Sequence, residues 1–138
     1  EVKSPEYDLW SFYYRDVLHT NSYTMENPYL DELSQMTPYT YAISVNSETA
    51  KKKGIRDGDL IWIESSTGRK IKGKANLTQG INIESVGIAA CAGHWSNNQP
   101  IAKGKGVFYN ELIEIDLEHM DPGNLNMDLC AKVKIYKA

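Results

Sequence analysis

Two polar segments carry side chains that could bind a ligand. The first follows an aromatic segment and consists of Arg15, His19, Thr20, Asn21, Ser22 and Thr24. The second lies in a glycine-bearing loop and places His94 beside Trp95. Imidazole, hydroxyl, carboxamide and guanidinium groups can bond phosphates and the edges of heterocycles. Each segment also has an ordinary structural explanation, a self-bonded loop for the first and a tryptophan folded back on the core for the second.

Complete catalytic motifs are absent from the sequence. It contains no GxxxxGK[ST] or GxGxxG phosphate loop, no CxxC pair for a zinc or iron–sulfur site, and no GxSxG elbow. Cys91 and His94 have ligand-like spacing but no second pair, which favours a buried thiol beside a loop histidine. Cys91 and Cys130 lie in apolar runs and are predicted to be buried free thiols. We therefore expect no catalytic residue and no metal ligand in the chain.

Length and composition indicate one ordinary folded domain. The chain has 138 residues, of which 41% are hydrophobic and 24% are charged. No apolar run approaches the roughly 20 residues of a membrane-spanning helix, and no signal peptide is evident. The net charge is −3, with acids dominating residues 1–40 and bases dominating residues 51–75. The basic stretch could face nucleic acid, but a charge run of this size favours a solvated face of a helix and hairpin.

Turn signals every eight to twelve residues separate six or seven short predicted strands. Strands are predicted over residues 7–14, 41–45, 60–64, 69–77, 87–91 and 131–136, with 112–117 as either a strand or a helical turn. Helices are predicted over 29–34 and 48–53, a turn at Asp57-Gly58-Asp59, and an irregular loop over 16–25. Leu30 and Leu33 are three apart in the first helix, and Asn46 and Gly54 can cap the second. The pattern is typical of a mainly β barrel or a β sandwich. The helix between the strands at 41–45 and 60–64 favours a barrel with some parallel strands, since antiparallel hairpins would not need it.

Four stretches of this sequence resemble a known family. They are Tyr14-Arg15-Asp16 through His19-Thr20-Asn21-Ser22 to Asn27-Pro28-Tyr29-Leu30; Ile43 to the hairpin at Gly68; Gly93-His94-Trp95; and Gly106 with Asn110-Glu111-Leu112 to the closing strand. In this order they resemble the C-terminal molybdopterin-dinucleotide-binding domain of the dimethyl sulfoxide reductase family. That family includes formate dehydrogenases, nitrate reductases, and thiosulfate or polysulfide reductases. The second stretch is shared by other double-psi barrels, whereas the first and fourth are more particular.

The resemblance implies both a fold and a domain organisation. The fold is a mainly β double-psi barrel with short helices and an irregular N-terminal segment. Residues 1–138 would form a single domain, with the first strand and cofactor loop in 1–40 and the barrel body in 41–138. Such a domain would be the C-terminal part of a longer chain.

The resemblance also implies a cofactor. The chain would bind molybdopterin guanine dinucleotide, whose molybdenum or tungsten is held mainly by the rest of the enzyme. The implied cofactor-binding residues are Tyr14, Arg15, His19, Thr20, Asn21, Ser22, Thr24, His94, Trp95, Asn110 and Asp128. Among them, Asn110 would bond a pterin edge. The isolated domain would not be active, because the redox chemistry belongs to the metal and its electron carriers.

Partners follow from the same resemblance. The implied partners are upstream catalytic domains of the same chain and an iron–sulfur electron-transfer subunit, in the cytoplasm or periplasm of a prokaryote. No nucleic acid and no membrane span are expected. Two alternatives stay open at this point: a separate small barrel subunit of a formylmethanofuran dehydrogenase-type complex, and a β-barrel DNA-binding protein. DNA binding through residues 51–75 would fall steeply with salt.

Overall fold

Six strands close into a barrel in the computed structural model, which describes residues 5–118, 120–127 and 129–138. The strands are β1 (Leu9–Tyr14), β2 (Ile43–Asn46), β3 (Leu60–Ser65), β4 (Lys70–Thr78), β5 (Ser85–Ala89) and β6 (Ala131–Lys137). The helices are α1 (Pro28–Met36) and α2 (Ser47–Lys52), with 3₁₀ turns at Asn21–Thr24 and Tyr109–Glu111. No helix in the described part is long and apolar enough to cross a membrane.

The barrel follows the strand order β1-β5-β2-β4-β3-β6 and contains two parallel pairs. β1 runs parallel to β5, and β2 runs parallel to β4, while the other neighbours are antiparallel. The side chain of Asn46 accepts a hydrogen bond from the Glu48 backbone N–H at 2.9 Å, so α2 begins directly where β2 ends. Gly54, with φ +67°, follows the helix in the left-handed region. The predicted double-psi barrel is confirmed.

Inward-facing aliphatic side chains from all six strands fill the barrel. Along β3, Ile61 and Ile63 are fully buried and alternate with outward Trp62 and Glu64, as the two-residue period of a strand requires. Burial of each such isoleucine stabilises the fold by about 1.5–3 kcal/mol. The same cluster includes Leu9, Ile43, Val45, Ile71, Ala75, Val86, Ile88, Val133 and Ile135. This core fixes the strand ends from which the polar loops leave the barrel.

Residues 112–117 form neither the strand nor the helical turn predicted for them. The second 3₁₀ turn ends just before them, at Glu111. Leu112 and Ile113 are both buried in the core, whereas Ile115 and Leu117 are exposed. Two consecutive buried residues cannot lie on one face of a strand, so the apolar and acidic alternation in the sequence does not correspond to a strand here.

The prediction for the cysteines is confirmed for Cys91 and wrong for Cys130. Both are free, but Cys91 is buried and Cys130 is exposed. In β6, which follows immediately, Val133 and Ile135 face the core, so Cys130 lies in the outward-facing phase of the strand period. Burial, followed by the nearby charge of Asp16, raises the pKa of the Cys91 thiol to about 11. A thiol of this kind is unreactive at neutral pH.

The basic stretch from 51 to 75 is mostly solvated. Its exposed members are Lys51, Lys52, Arg56, Arg69, Lys70, Lys72 and Lys74. On β4, the ammonium of Lys72 lies 5.4 Å from the centroid of the Trp62 ring. The three lysines of the strand thus face outward while Ile71 and Ala75 face the core, which is the arrangement expected of a solvated wall.

Glu64 of β3 bonds cationic and phenolic side chains on the outside of the barrel. Its carboxylate lies 3.0 Å from the Lys70 ammonium and 3.3 Å from that of Lys134, and it accepts a hydrogen bond from the Tyr136 hydroxyl at 2.9 Å. The hydrogen bonds from Lys70 and Tyr136 lower the pKa of Glu64 to about 2, against a smaller opposing effect of burial. The ionised form is therefore the form that the fold favours.

Acid should destabilise the barrel in the pH range where Glu64 becomes protonated. The pKa of Glu64 is lower in the folded than in the unfolded chain. The contribution of its carboxylate to the free energy of unfolding is therefore complete above the unfolded pKa of about 4.3. It is lost as the pH falls through the folded value of about 2. Thermal melting across this range should show a steeper loss of stability for the unmodified chain than for Glu64→Gln. If the melting temperatures of the two proteins fell equally with pH, the ionised Glu64 carboxylate would not be what stabilises the barrel.

Candidate functional site

Polar contacts hold the loop that follows β1. Asp16 accepts a hydrogen bond from the Leu18 backbone N–H at 2.8 Å and another from the Thr40 hydroxyl at 2.6 Å. The Tyr14 hydroxyl donates to the backbone carbonyl of Tyr39 at 2.7 Å. Burial is the main cause of a raised pKa for Tyr14, which keeps this donor protonated. These bonds connect the loop to the segment between α1 and β2.

His19 lies inside the loop and bonds it to α1. The residue is only 7% exposed, with Nδ1 3.0 Å from the Thr24 hydroxyl and Nε2 2.7 Å from the Ser34 hydroxyl. The Thr24 oxygen also accepts a hydrogen bond from the Thr20 backbone N–H at 3.1 Å. Both ring nitrogens of His19 therefore have partners within the protein. Its role in cofactor binding stays a prediction, and its contacts favour positioning of the loop over direct contact with a ligand.

The remaining predicted residues of this loop point to its surface. Thr20 and Asn21 are exposed and Ser22 is half-buried. Asn21 has φ +49°, a left-handed conformation that asparagine adopts more readily than most residues. Arg15 is exposed and lines a shallow cavity of about 230 Å³ beside the loop. Hydroxyl, carboxamide and guanidinium groups thus lie on the surface of a loop whose backbone is held from within.

α1 connects this loop to the second polar segment through a buried carboxylate. Asp31 is 8% exposed, and both of its oxygens accept hydrogen bonds from the Lys105 ammonium at 2.6 Å. The Tyr41 hydroxyl and the Gln35 amide also donate to it, at 2.8 and 2.7 Å. Burial alone would raise the pKa of Asp31, but these hydrogen bonds outweigh it and lower the pKa. The paired, ionised carboxylate therefore fixes α1 against residue 105.

Glu26 makes a second connection between the same two segments. Its carboxylate oxygens accept hydrogen bonds from the backbone N–H groups of Ile101 at 3.1 Å and Ala102 at 2.8 Å. Next to it, Met25 packs in a small buried cluster that includes Cys91. The loop after β1 and the loop over 93–106 therefore form one continuous structure.

The loop over 93–106 begins where two backbone segments touch. Gly93 has φ +94°, and a Cβ atom there would overlap the backbone of Phe108. The His94 ring lies 5.3 Å from that of Phe108, and its Nδ1 is buried with no hydrogen-bond partner in the described part of the chain. Trp95 is 48% exposed, with the Lys103 ammonium 4.3 Å from its ring centroid. Trp95 therefore projects from the loop and does not cover the core.

Asn110 lies on the second 3₁₀ turn, which Tyr109 holds in place. The Tyr109 hydroxyl is 3.0 Å from the Ser11 hydroxyl, 3.1 Å from the Ser11 carbonyl oxygen and 2.8 Å from the Leu129 carbonyl oxygen. Burial raises its pKa to about 12. The Tyr109 ring also contacts that of Tyr13, near the end of β1, at 5.6 Å. The side chain of Asn110 is exposed, so its carboxamide is available on a rigid turn.

The structure gathers the predicted residues into two neighbouring groups. One is the loop after β1, bonded through α1 to residues 101–105. The other contains His94, whose ring contacts that of Phe108, and Asn110, which lies two residues after Phe108 in the chain. The Gly93 N–H donates to the Lys105 carbonyl at 3.0 Å and joins the groups. Asp128 lies outside the described residues. Among the residues that are described, no group of three His, Cys, Asp or Glu side chains could hold a metal ion.

The sequence alone does not reveal which charged residues hold this face together. Asp31 and Lys105 are 74 residues apart, and no local pattern reveals such a pair. The spacing of Leu30 and Leu33 predicts the helix, but these leucines do not form its buried face. Instead, Asp31 and Ser34 are buried and Leu33 is 46% exposed.

Comparison with known proteins gives the family. A family model for the molydopterin dinucleotide binding domain matches residues 9–124, and the chain belongs to this family. It is 32% identical over 108 residues to the thiosulfate reductase molybdopterin-containing subunit PhsA of Salmonella typhimurium, covering 78% of this chain and 14% of that protein. It is also 32% identical over 98 residues to the dopamine dehydroxylase of Eggerthella lenta, covering 70% of this chain and 9% of the relative.

Solved structures show the same fold. The acetylene hydratase from Pelobacter acetylenicus matches with a TM-score of 0.75 and 18% sequence identity, over 96% of this chain and 19% of that one. The family resemblance seen in the sequence is thereby confirmed, and this chain is a molybdopterin-dinucleotide-binding domain of the kind found in molybdoenzymes such as thiosulfate reductase. Neither the formylmethanofuran dehydrogenase-type subunit nor the DNA-binding protein is favoured. The chain spans a small fraction of the length of the curated relatives it matches.

Proposed function

We propose that this chain binds molybdopterin guanine dinucleotide as the C-terminal domain of a prokaryotic molybdenum or tungsten oxidoreductase. The enzyme would be of the formate dehydrogenase, nitrate reductase, or thiosulfate or polysulfide reductase type, and the thiosulfate reductase relative supports the last of these. The observation that carries the proposal is the exposed carboxamide of Asn110 on a rigid turn, close in the chain to the ring that packs on His94.

The side chains on this face fit the polar groups of such a cofactor. A pterin dinucleotide presents a diphosphate and two heterocycles with fixed donor and acceptor edges. Asn110 can donate and accept at once, while Arg15 and Thr20 suit phosphate oxygens. A buried polar atom without a partner costs about 1–3 kcal/mol, so the His94 Nδ1 atom is consistent with a site that a further molecule completes. When bound, the cofactor supplies the oxidation–reduction chemistry.

The positioning residues complete the proposed site. His19 and Thr24 hold the loop that presents Thr20 and Asn21, through bonds of 3.0 and 3.1 Å. Tyr14, Ser22 and Trp95 lie in the same segments and are proposed as further contacts. The proposed partners are catalytic domains of the same chain, which the length of the relatives supports. An iron–sulfur subunit that exchanges electrons with the metal is proposed as well.

Removing the Asn110 side chain should weaken cofactor retention without destabilising the fold. The turn is held by the Tyr109 hydroxyl, and the Asn110 side chain is exposed, so Asn110→Ala should leave thermal melting nearly unchanged. A pterin edge left without its partner should cost about 1–3 kcal/mol of binding free energy. The measurement is bound metal and pterin per molecule of full-length enzyme, together with its melting temperature.

The neighbouring Glu111 gives a matched control, since it is exposed on the same turn. Glu111→Ala should retain the cofactor. Full occupancy in the Asn110→Ala enzyme would remove Asn110 from the site. A lower melting temperature with unchanged retention would show instead that Asn110 only stabilises its own turn.

A further inference from the structure

The outer face of α1 is apolar. Tyr29, Leu33 and Met36 occupy positions i, i+4 and i+7, so they form one stripe along the helix, and they are 78%, 46% and 78% exposed. The buried positions of the same helix are Asp31 and Ser34. A surface helix normally turns its polar side to solvent and its apolar side to the core. On α1 the buried positions are polar, and the apolar stripe is exposed beside the polar Glu32 and Gln35, which indicates that the stripe is covered by another surface.

The segments before and after α1 also expose apolar side chains. Val17 is 99% exposed, Tyr23 is 88% exposed and Tyr39 is 51% exposed, and Val17 and Tyr39 line one shallow cavity. The other helix, α2, differs: its exposed residues include the charged Lys51 and Lys52. Concentrated exposed apolar side chains mark interaction surfaces more often than isolated ones do.

We propose that the α1 stripe, formed by Tyr29, Leu33 and Met36, is the surface through which this domain docks against another domain of its own catalytic chain. The proposal rests on the proposed function, because it requires that larger chain. The partner surface is apolar and carries an acceptor for the Tyr29 hydroxyl. The relatives support this occupant, since the matched region makes up only 14% and 9% of their lengths, and most of each polypeptide is available to cover the stripe.

The size of the stripe favours a tethered domain over a second copy of the chain. A stable interface between separate proteins engages about 20–30 residues on each side. The stripe offers three large side chains on a helix of nine residues. A domain joined to its neighbour by the backbone has a high effective concentration and needs far less contact area to dock.

Docking at this stripe would also fix the proposed cofactor face. The inner side of α1 bonds His19 through Ser34 at 2.7 Å and Lys105 through Asp31 at 2.6 Å. One helix thus contacts the neighbouring domain on its outer side and both cofactor loops on its inner side. The position of each loop therefore depends on where α1 is held.

Cysteine labelling in the full-length enzyme tests the proposal. Tyr29→Cys and Met36→Cys are made singly with Cys130 replaced by serine, because Cys130 is exposed and would itself react. The control is Lys51→Cys on the exposed side of α2. Labelling with a maleimide is followed at each position by peptide mass spectrometry. We expect both stripe positions to react at least about tenfold more slowly than the control, and all three to react equally in urea.

Two results would overturn the proposal. Labelling of the stripe at the rate of Lys51→Cys would show that the surface is open to solvent in the complete enzyme. Protection that disappears on dilution, or when other subunits are removed, would assign the surface to a second copy or to another protein. The cofactor content of the same enzyme is measured separately. Failure of docking and failure of cofactor binding are therefore distinguishable.

Discussion

Replacing Gly93 with alanine should prevent the barrel from folding stably, whereas the same replacement at Gly104 should cause only a modest loss. Both glycines have positive φ, +94° and +73°, so backbone strain of about 1–3 kcal/mol is common to the two variants. At Gly104 the new Cβ meets nothing within 4 Å. At Gly93 it would overlap the backbone of Phe108, which cannot move without displacing the adjoining turn.

The expected loss of unfolding free energy for Gly93→Ala exceeds about 4 kcal/mol, a size reserved for a few severe mechanisms. Urea denaturation of the two variants beside the unmodified chain measures it. If both variants unfold at similar urea concentrations, backbone strain alone explains the loss of stability. That result would contradict the steric overlap expected between a Cβ atom at residue 93 and the backbone of Phe108. The comparison separates conformational strain from steric overlap, because only the second differs between the two sites.

Local signals in the sequence predict much of the barrel. The short helix after β2 follows from the Asn46 cap and the Gly54 terminus, and both are confirmed. The turn at Gly58 is confirmed as well, with φ +78°. These features depend on residues within a few positions of each other. The order in which the strands pair depends on contacts between distant segments, and here the family resemblance supplied what the local patterns could not.

The candidate site is also only partly predictable from local patterns in the sequence. Thr20, Asn21 and Asn110 are polar residues in loops, and the structure does leave them exposed. That His19 is buried and bonded on both ring nitrogens could not be predicted from its neighbours, because one partner, Ser34, comes from α1. Buried polar groups need partners, but the sequence does not say which residues provide them.

Replacing Lys105 with methionine should strongly destabilise the protein at neutral pH. The Asp31 carboxylate would keep its neutral donors Tyr41 and Gln35 but lose its cation. Breaking a buried ion pair costs roughly 3–5 kcal/mol. We expect the lower end of that range, because the Lys105 side chain is 31% exposed. Methionine preserves most of the length of the lysine side chain, so the loss comes chiefly from the charge.

The stability of this variant should depend less on pH than that of the unmodified protein. With Lys105 present, the pKa of Asp31 is lowered in the folded protein. The contribution of the Asp31 carboxylate to the free energy of unfolding is therefore complete above the unfolded pKa of about 3.9 and is lost in acid. Without the lysine, only the hydrogen bonds from Tyr41 and Gln35 oppose the effect of burial, so the pKa of Asp31 is higher than in the unmodified protein. The difference in stability between the variant and the unmodified protein therefore narrows as the pH falls, because Asp31 becomes neutral in both.

The double variant Asp31→Asn/Lys105→Met should recover stability at neutral pH, since it removes both charges at once. Thermal melting of the single and double variants between neutral and acidic pH measures both effects. A single variant that melts like the unmodified protein at every pH would show that the Asp31–Lys105 pair does not hold α1 against the loop over 93–106.

Cofactor retention in the full-length single variant should fall along with its stability, because the pair joins α1 to the loop over 93–106. Retention that stays complete while stability falls would separate the ion pair from the proposed cofactor face.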